Sequence, residues 1–235
     1  MGFHLAEREP VARSIAAASA ARTFEELQEA IRNYEGHDLA QNQPYTAPQT
    51  SPHANPIMIV SEKPEDEDRQ EGRPFCGEYG RIMRNALSLI GVNLEAMHVA
   101  YAIHWTPPED KSPNKTIIAA SRPFLYREIE LVQPRILLAQ GRAVIEALNG
   151  YRGPALEVYG HTMGFKHGDM AVQMYCTAHP AYSIYSSSYF STFLENLKEF
   201  FSLHGRLEEQ TAPGSFKTPV RGAFEGPIFP RLKAA

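Results

Sequence analysis

Four short apolar runs, each followed by turn residues, constrain this chain more than any other feature. Patterns typical of amphipathic helices separate these runs, for example RIMRNALSLIG, PFLYREIELVQP and YFSTFLENLKEFFSLHG. Strands that alternate with helices favour a parallel sheet covered by helices. We therefore predict an α/β fold: a three-layer α/β/α sandwich with a central four-stranded parallel sheet. The predicted strands are 56–60, 98–103, 135–139 and 173–177.

The segments outside this alternation set the predicted domain limits. Thr23 has the residue type and position of an N-cap for the helical segment TFEELQEAIRNYEG. Residues 41–56 contain four prolines and almost no aliphatic side chains, which indicates an extended connector. We predict an N-terminal extension that is either a short helix or a frayed end, one α/β domain and an irregular C-terminal tail. Their ranges are 1–22, 23–204 and 205–235.

Composition excludes several classes of protein. The chain has only two cysteines, Cys76 and Cys176, too few for a disulfide scaffold or for a four-cysteine zinc or iron–sulfur site. No apolar run approaches the roughly 20 residues of a membrane span, and the first twenty residues lack the apolar core of a signal peptide. We therefore expect a cytoplasmic protein. A net charge of −4 gives no global attraction to nucleic acid, but a local basic face is enough to bind DNA.

Reactive side chains follow the ends of the predicted strands. Ligands of parallel α/β sheets bind outside the carboxyl ends of the strands. The first apolar run leads into SEKPEDED and RPFCGEYG, the second into HWTPPEDKSP, the third into AQGRA and the last into TAHPAYSIYSSSY. Each segment alone has an ordinary structural explanation, such as a solvated acidic loop or a core histidine. The chain has no G-x-G-x-x-G or Walker A pattern, so a nucleotide cofactor is not supported.

Taken together and in this order, the segments resemble the uracil-DNA glycosylase superfamily, in particular its iron–sulfur branch, family 4. The likeness extends over residues 23–203. SEKPEDEDRQEGRPFCGEYG resembles that family's G-E-A-P-G-x-x-E-D-x-x-G-x-P-F-V-G-x-x-G block. HWTPPEDKSP is similar to its W-R-P-P-G-N-R-x-P loop, and TAHPAYSIY to its T-x-H-P-A-Y-L-L-R motif. The resemblance implies an enzyme that flips a nucleotide out of DNA and cleaves its N-glycosidic bond.

The resemblance also implies a role for each matching residue. The reaction needs an anion stabiliser beside the departing base and a carboxylate near the sugar. His179 matches the donor to the base oxygen, and Glu62 matches the carboxylate. Asp68 matches a second acid, which is either catalytic or orients the loop backbone. The predicted base contacts are Phe75, which would stack on the base, Tyr101 and Ser61. The predicted DNA contacts are Lys63, Arg81, Lys111, Ile184 and Tyr185.

The chain departs from the family at positions that read the base and hold the cluster. Tyr101 stands where the family has the asparagine that pairs with uracil, and Ser61 and Glu65 replace glycines of the first motif. His37 and Ser121 stand at two positions of cluster cysteines. We therefore predict no iron–sulfur cluster, no metal and no other cofactor. Some other packing must then hold the segments that the cluster holds in the family.

Three functions stay open on the sequence alone. The favoured one is a monofunctional DNA glycosylase for a modified pyrimidine, such as a hydroxymethylated or glucosylated phage-type base, in defence against foreign DNA. The second is an ordinary uracil-DNA glycosylase of base excision repair, and the third is an inactive DNA-binding relative. Lys63 has the chemistry to form a Schiff base with the opened sugar, but a salt bridge or a phosphate contact is the commoner role. We expect a monomer that acts on double- or single-stranded DNA.

Overall fold

The computed structural model describes residues 5–42, 56–94, 97–105 and 114–204, and it contains a sheet of five strands. The strands are β1 (Ile57–Ser61), β2 (His98–Tyr101), β3 (Ile136–Gln140), β4 (Thr162–His167) and β5 (Met170–Thr177). Their spatial order is β2-β1-β3-β5-β4. The four predicted strands are all present as β1, β2, β3 and β5, and they run parallel to one another. The predicted α/β fold class is therefore confirmed.

The predicted number of strands needs one correction, because the sheet has a fifth strand at its edge. Strand β4 pairs antiparallel with β5. Gly168, at a φ of +55°, lies in the turn that joins the two strands. Strand β4 buries Met163 and Phe165, leaves Gly164 between them half-buried and exposes the residues on either side. Such alternation is typical of a strand with one solvated face, whereas the predicted strands were found as continuous apolar runs.

Helices cover both faces of the sheet. They are α1 (Leu5–Ala20), α2 (Phe24–Arg32), α3 (Asp38–Asn42), α4 (Asp66–Glu71), α5 (Glu78–Leu89), α6 (Lys115–Val132), α7 (Arg142–Asn149) and α8 (Ser187–His204). On β1, Met58 and Val60 pack in a core with side chains of α2, α6 and α7, whereas Ile57 and Ile59 pack in a second core with α5 and α8. This alternation produces the predicted three layers. Within the described ranges, no helix is both long and apolar enough to cross a membrane.

Helix α1 packs against α6 in the first of these layers. The Tyr34 hydroxyl donates a hydrogen bond to the backbone oxygen of Pro10 at 2.6 Å. The Arg127 guanidinium donates two bonds to the backbone oxygen of Ala21, at 2.8 and 2.9 Å. The start of the chain is therefore a helix over the described residues, one of the two predicted forms. The predicted connector, apart from its ends, and the predicted tail lie outside the described residues, so the domain limits stay predictions.

The topology brings the carboxyl ends of the four parallel strands to one edge. Helix α5 follows β1 on one face of the sheet, and α6 follows β2 on the other face. Strand β1 connects onward to β2 on one side, and its neighbour β3 connects onward through α7 to β4 and β5 on the other side. The connections therefore leave β1 and β3 in opposite directions, which places a switch point between them. Open α/β sheets bind ligands in the crevice at such a point. The residues that follow these strand ends are those for which the sequence predicted function.

Candidate active site

Ser61 and His179 meet at the carboxyl ends of β1 and β5. The distance from Ser61 Oγ to His179 Nε2 is 3.2 Å. The backbone N–H of Ala181 donates to His179 Nδ1, also at 3.2 Å. Because Nδ1 accepts this bond, the neutral ring carries its proton on Nε2. His179 therefore presents an N–H donor to the position that Ser61 Oγ occupies.

The surroundings of His179 keep its ring neutral and fixed. Burial and, to a lesser degree, the charge of Lys63 lower the pKa of His179 to about 4. The Tyr79 ring packs edge-on against the imidazole at a centroid distance of 5.5 Å. A Cβ atom at Gly141, which has a φ of +90°, would lie 3.1 Å from His179 Cβ. A neutral ring held in this way can stabilise negative charge on a ligand oxygen by donating its Nε2–H as a hydrogen bond.

Glu62 follows Ser61 and supplies a carboxylate at the same edge of the sheet. Its backbone oxygen accepts the N–H of Ile103 at 2.8 Å, which fixes the start of the loop. Burial raises the pKa of Glu62 above its ordinary value of 4.5, and the charge of Lys63 partly opposes that rise. A carboxylate removed from water interacts strongly with a positive charge that develops nearby. The edge therefore carries a neutral donor, His179, and a partly buried carboxyl group, Glu62. The catalytic roles of these two residues stay predictions.

Asp68 binds the loop that follows β1. Its side chain is buried, and its Oδ1 accepts the backbone N–H of Cys76 at 2.6 Å. Its Oδ2 accepts the N–H of Glu65 at 3.1 Å and the hydroxyl of Tyr101 at 2.7 Å. These contacts match the loop-orienting role, one of the two that the sequence left open. A catalytic role for Asp68 stays a prediction.

Phe75 has a backbone conformation that is rare for a bulky residue. Its φ is +58°, in the left-handed region. Arg84 Nε donates to the Phe75 backbone oxygen at 3.2 Å, and a Cβ atom at Gly80 would lie only 2.0 Å from that oxygen. The ring is buried, with its centroid 6.5 Å from that of Tyr101. Strained residues held by several neighbours concentrate at functional sites, which supports the predicted base-stacking role without testing it.

Glu65 stabilises the start of helix α5 and does not extend toward a ligand. Its carboxylate accepts the backbone N–H groups of Tyr79 and Gly80, with its Oε2 at 3.1 and 3.3 Å. An anion at a helix N-terminus is favourable because it meets unpaired N–H groups and the positive end of the dipole. Burial raises the pKa of Glu65, and these two bonds oppose the rise. Of the acids after β1, Glu65 and Asp68 are thus engaged by backbone groups.

The predicted DNA contacts lie in different environments. Ile184 and Tyr185 end a short 3₁₀ turn that starts directly after His179, and their exposed fractions are 45% and 81%. Arg81 is exposed on α5. Lys63 is half-buried, and its charge lowers the pKa values of both Glu62 and His179. Lys111 lies outside the described residues.

Aromatic side chains pack around His37 and Ser121, the two positions at which the resemblance implies cluster cysteines. The Trp105 ring lies 4.9 Å from His37 and 5.0 Å from Tyr34, centroid to centroid. Ser121 Oγ accepts the backbone N–H of His104 at 3.2 Å, and burial lowers the pKa of His104 to about 3. In the described part of the chain, no group of three or more His, Cys, Asp or Glu side chains is arranged to hold a metal ion. Rings and a neutral histidine do not fit the thiolate ligands of an iron–sulfur cluster.

We therefore expect the purified protein to be colourless and free of stoichiometric iron. The two cysteines are elsewhere, since Cys176 is buried in β5 and Cys76 adjoins Asp68. The visible absorption spectrum and an elemental analysis of iron and acid-labile sulfide measure this directly. A brown protein that contains iron and sulfide in stoichiometric amounts would contradict the expectation.

Two buried polar side chains at this edge were not predicted from the sequence. Gln140 ends β3 and pairs in register with Thr177, which ends β5. Both side chains are fully buried. The available signal was a polar residue at the end of the apolar run RILLAQ, directly before the glycine that starts helix α7. Such a residue is easily taken as the end of a strand and nothing more.

Comparison with known proteins gives a consistent assignment. Residues 47–200 match the family model described as Uracil DNA glycosylase superfamily. The type-4 uracil-DNA glycosylase of Pyrobaculum aerophilum is 27% identical over 182 residues, which cover 76% of this chain and 93% of that protein. The type-4 enzyme of Sulfurisphaera tokodaii is 25% identical over 152 residues, 63% of this chain and 69% of its own. The family match spans all five strands of the sheet and more than half of the chain, and the chain therefore belongs to the uracil-DNA glycosylase superfamily, a family of DNA glycosylases.

Proposed function

We propose that this chain is a monofunctional DNA glycosylase that hydrolyses the N-glycosidic bond of a flipped-out pyrimidine. The observation that carries the proposal is the neutral His179, whose Nε2 lies 3.2 Å from Ser61 Oγ, with Glu62 as the next residue along the chain. When the bond between C1′ of the sugar and N1 of the base breaks, its electron pair leaves with the base. A base carbonyl oxygen that takes the place of Ser61 Oγ accepts the Nε2 proton as a hydrogen bond, which stabilises that negative charge.

Glu62 acts on the sugar side of the same bond. Its carboxylate stabilises the positive charge of the oxocarbenium-like sugar and orients a water molecule, whose oxygen attacks C1′ while its proton passes to the carboxylate. Lys63 supports both residues, because its charge favours ionised Glu62 and neutral His179. This electrostatic role needs no covalent step with the sugar. We therefore favour a monofunctional enzyme over a lyase, acting as a cytoplasmic monomer.

We further propose that the preferred base is a 5-substituted pyrimidine, for example a hydroxymethylated or glucosylated phage-type base. Tyr101 replaces an amide that donates and accepts, and its hydroxyl already donates to Asp68 Oδ2 at 2.7 Å. The Tyr101 oxygen can then only accept a further hydrogen bond. Sites that hydrogen-bond a base discriminate through those bonds, so Tyr101 cannot select bare uracil as the amide does. Such an enzyme suits defence against foreign DNA.

An ordinary uracil-DNA glycosylase is the second candidate, and one observation favours it. The carboxylates of Glu65 and Asp68, which would bind the hydroxyl groups of an enlarged base, accept hydrogen bonds from the protein itself. The relatives named above carry a name that specifies uracil. An inactive DNA-binding relative has less support, because a pure binding protein has no use for His179 and Glu62 in this arrangement.

Tyr101→Asn separates the two candidates, because it restores the amide at this position. If the pocket serves a modified base, the variant excises uracil faster and the modified base more slowly. The ratio of the two rates should shift by about 10-fold or more, the effect of one or two hydrogen bonds. Single-turnover assays on duplexes with uracil, 5-hydroxymethylated or glucosylated pyrimidines measure the ratio.

Tyr101→Phe is the matched control, since it keeps the ring and removes only the hydroxyl that binds Asp68. A shift confined to Tyr101→Asn assigns the effect to the amide. The proposal of a modified base is wrong if the unmodified protein excises uracil rapidly and is inert on every 5-substituted pyrimidine.

A further inference from the structure

Polar side chains form a row across the carboxyl ends of the four parallel strands. Tyr101 pairs in register with Ser61, and Gln140 pairs with Thr177. Val60 pairs with Ala139, so Ser61 and Gln140 are the next positions on those two strands. Two positions earlier, each strand has a side chain in the core that contains α5 and α8, so the row faces that layer. All members are at most 2% exposed; this polar row consists of Tyr101, Ser61, Gln140 and Thr177.

Two atoms of the polar row are buried without a hydrogen-bond partner among the described residues. They are Gln140 Oε1 and Thr177 Oγ1. Gln140 Nε2 lies 3.2 Å from the sulfur of Met83, which is a weak acceptor. Most buried polar atoms in folded proteins have a partner, and leaving one unpaired is destabilising. A buried carboxamide with both ends poorly satisfied is therefore expected to meet a ligand or a water molecule.

The polar row belongs to the proposed base-binding site. Ser61 contacts His179 Nε2 at 3.2 Å, and the Tyr101 ring adjoins that of Phe75. Gln140 lies in the row between Ser61 and Thr177. The Gln140 carboxamide thus lies on the strand next to Ser61, the member of the row that contacts His179.

We infer that Gln140 reads the Watson–Crick edge of the flipped pyrimidine, an inference that rests on the proposed glycosylase function. A carboxamide offers one acceptor and one donor side by side, which matches N3–H and O4 of a uracil-type base or N3 and N4–H of a cytosine-type base. The two-way amide that is absent at Tyr101 is then supplied from β3. Because the row is buried, a base that reaches Gln140 must displace Ser61 from His179.

The test compares the full-length protein with Gln140→Leu and with the matched control Gln28→Leu. Gln28 is also buried, but it lies on α2 in the other helix layer. Calorimetric or NMR titrations use uracil, cytosine and pyrimidin-2-one, which lacks the substituent at position 4. Whichever of uracil and cytosine the unmodified protein binds more tightly, Gln140→Leu should lower the affinity for that base about 10-fold or more. The affinity for pyrimidin-2-one, which lacks half of the recognised edge, should fall much less in Gln140→Leu. Gln28→Leu should change none of the three affinities.

Thermal unfolding shows whether the variant folds. Gln140→Leu should unfold at the same temperature as the unmodified protein or higher, because an apolar side chain of similar size replaces an unpaired polar one. Equal losses for all three bases, no loss, or no binding of any base to the unmodified protein would overturn the inference. Gln140 would then be a packing residue or the partner of a buried water.

Excision assays on the same proteins keep this inference separate from the proposed function. If the unmodified protein releases no base from DNA but binds a free base through Gln140, the glycosylase proposal fails and the edge-reading role stands. If the protein releases a base from DNA, and Gln140→Leu changes neither the affinities for the free bases nor the relative excision rates of different bases, only the edge-reading role fails.

Discussion

His179→Ala is expected to lower the single-turnover rate of base excision by about 10²–10³-fold, the usual effect of removing a donor that stabilises a developing anion. The ring is neutral because burial lowers its pKa to about 4, and its Nε2 proton faces the oxygen of Ser61. The bond that it makes to the base strengthens only as charge moves onto the base. Affinity for DNA should therefore change far less than the rate.

A second histidine variant controls for nonspecific effects of the substitution. His167 ends β4 at the opposite end of the sheet from His179, and its side chain is 45% exposed. His167→Ala should leave both the rate and the affinity unchanged. Binding and cleavage that fall equally in His179→Ala would show that His179 is structural.

Glu62→Gln is expected to lower the rate by about 10²–10⁴-fold, the range for a residue that acts as general acid or base. The amide keeps the size of the side chain but has no negative charge to stabilise the sugar cation and no basic oxygen to orient water. Glu67→Gln is the matched control, because Glu67 is exposed on α4. That control should retain the full rate.

The pH profile gives Glu62 a signature that a structural role does not produce. Glu62 must be ionised, and burial raises its pKa above the ordinary value of 4.5. The rate should therefore fall as the pH falls through that raised pKa, while His179, with a pKa of about 4, stays neutral for longer. Glu62→Gln should lack this acidic decline. An identical decline in the variant would assign it to another group.

The sequence predicts the architecture wherever burial alone decides the structure. Strands β1, β2 and β3 are buried along their whole length and β5 is buried from Met174 onward, so each of the four is found as an apolar run. Strand β4 has no continuous apolar run, because Met163 and Phe165 are its only buried residues. Helix α1 is ambiguous in sequence because its alanines carry little pattern, and its packing against α6 decides its form.

The candidate site is predictable in position but not in its hydrogen bonds. Glu62 and His179 follow strand ends, and parallel strands bring such residues to one edge. The partners of Asp68 and Glu65 depend on where the loop places backbone N–H groups, which no residue pattern encodes. Gln140 looks like the last residue of an apolar run until the register sets it beside Ser61 and Thr177.

The central claim is that this edge of the sheet cleaves an N-glycosidic bond by hydrolysis, and product analysis tests it most directly. The protein is incubated in excess over DNA duplexes and single strands that carry uracil or a 5-substituted pyrimidine, with and without borohydride. We predict a free base, detected by mass spectrometry, an intact abasic strand and no protein–DNA adduct. No base released from any substrate would contradict the claim, and an adduct that disappears in Lys63→Ala would replace hydrolysis with a lyase mechanism.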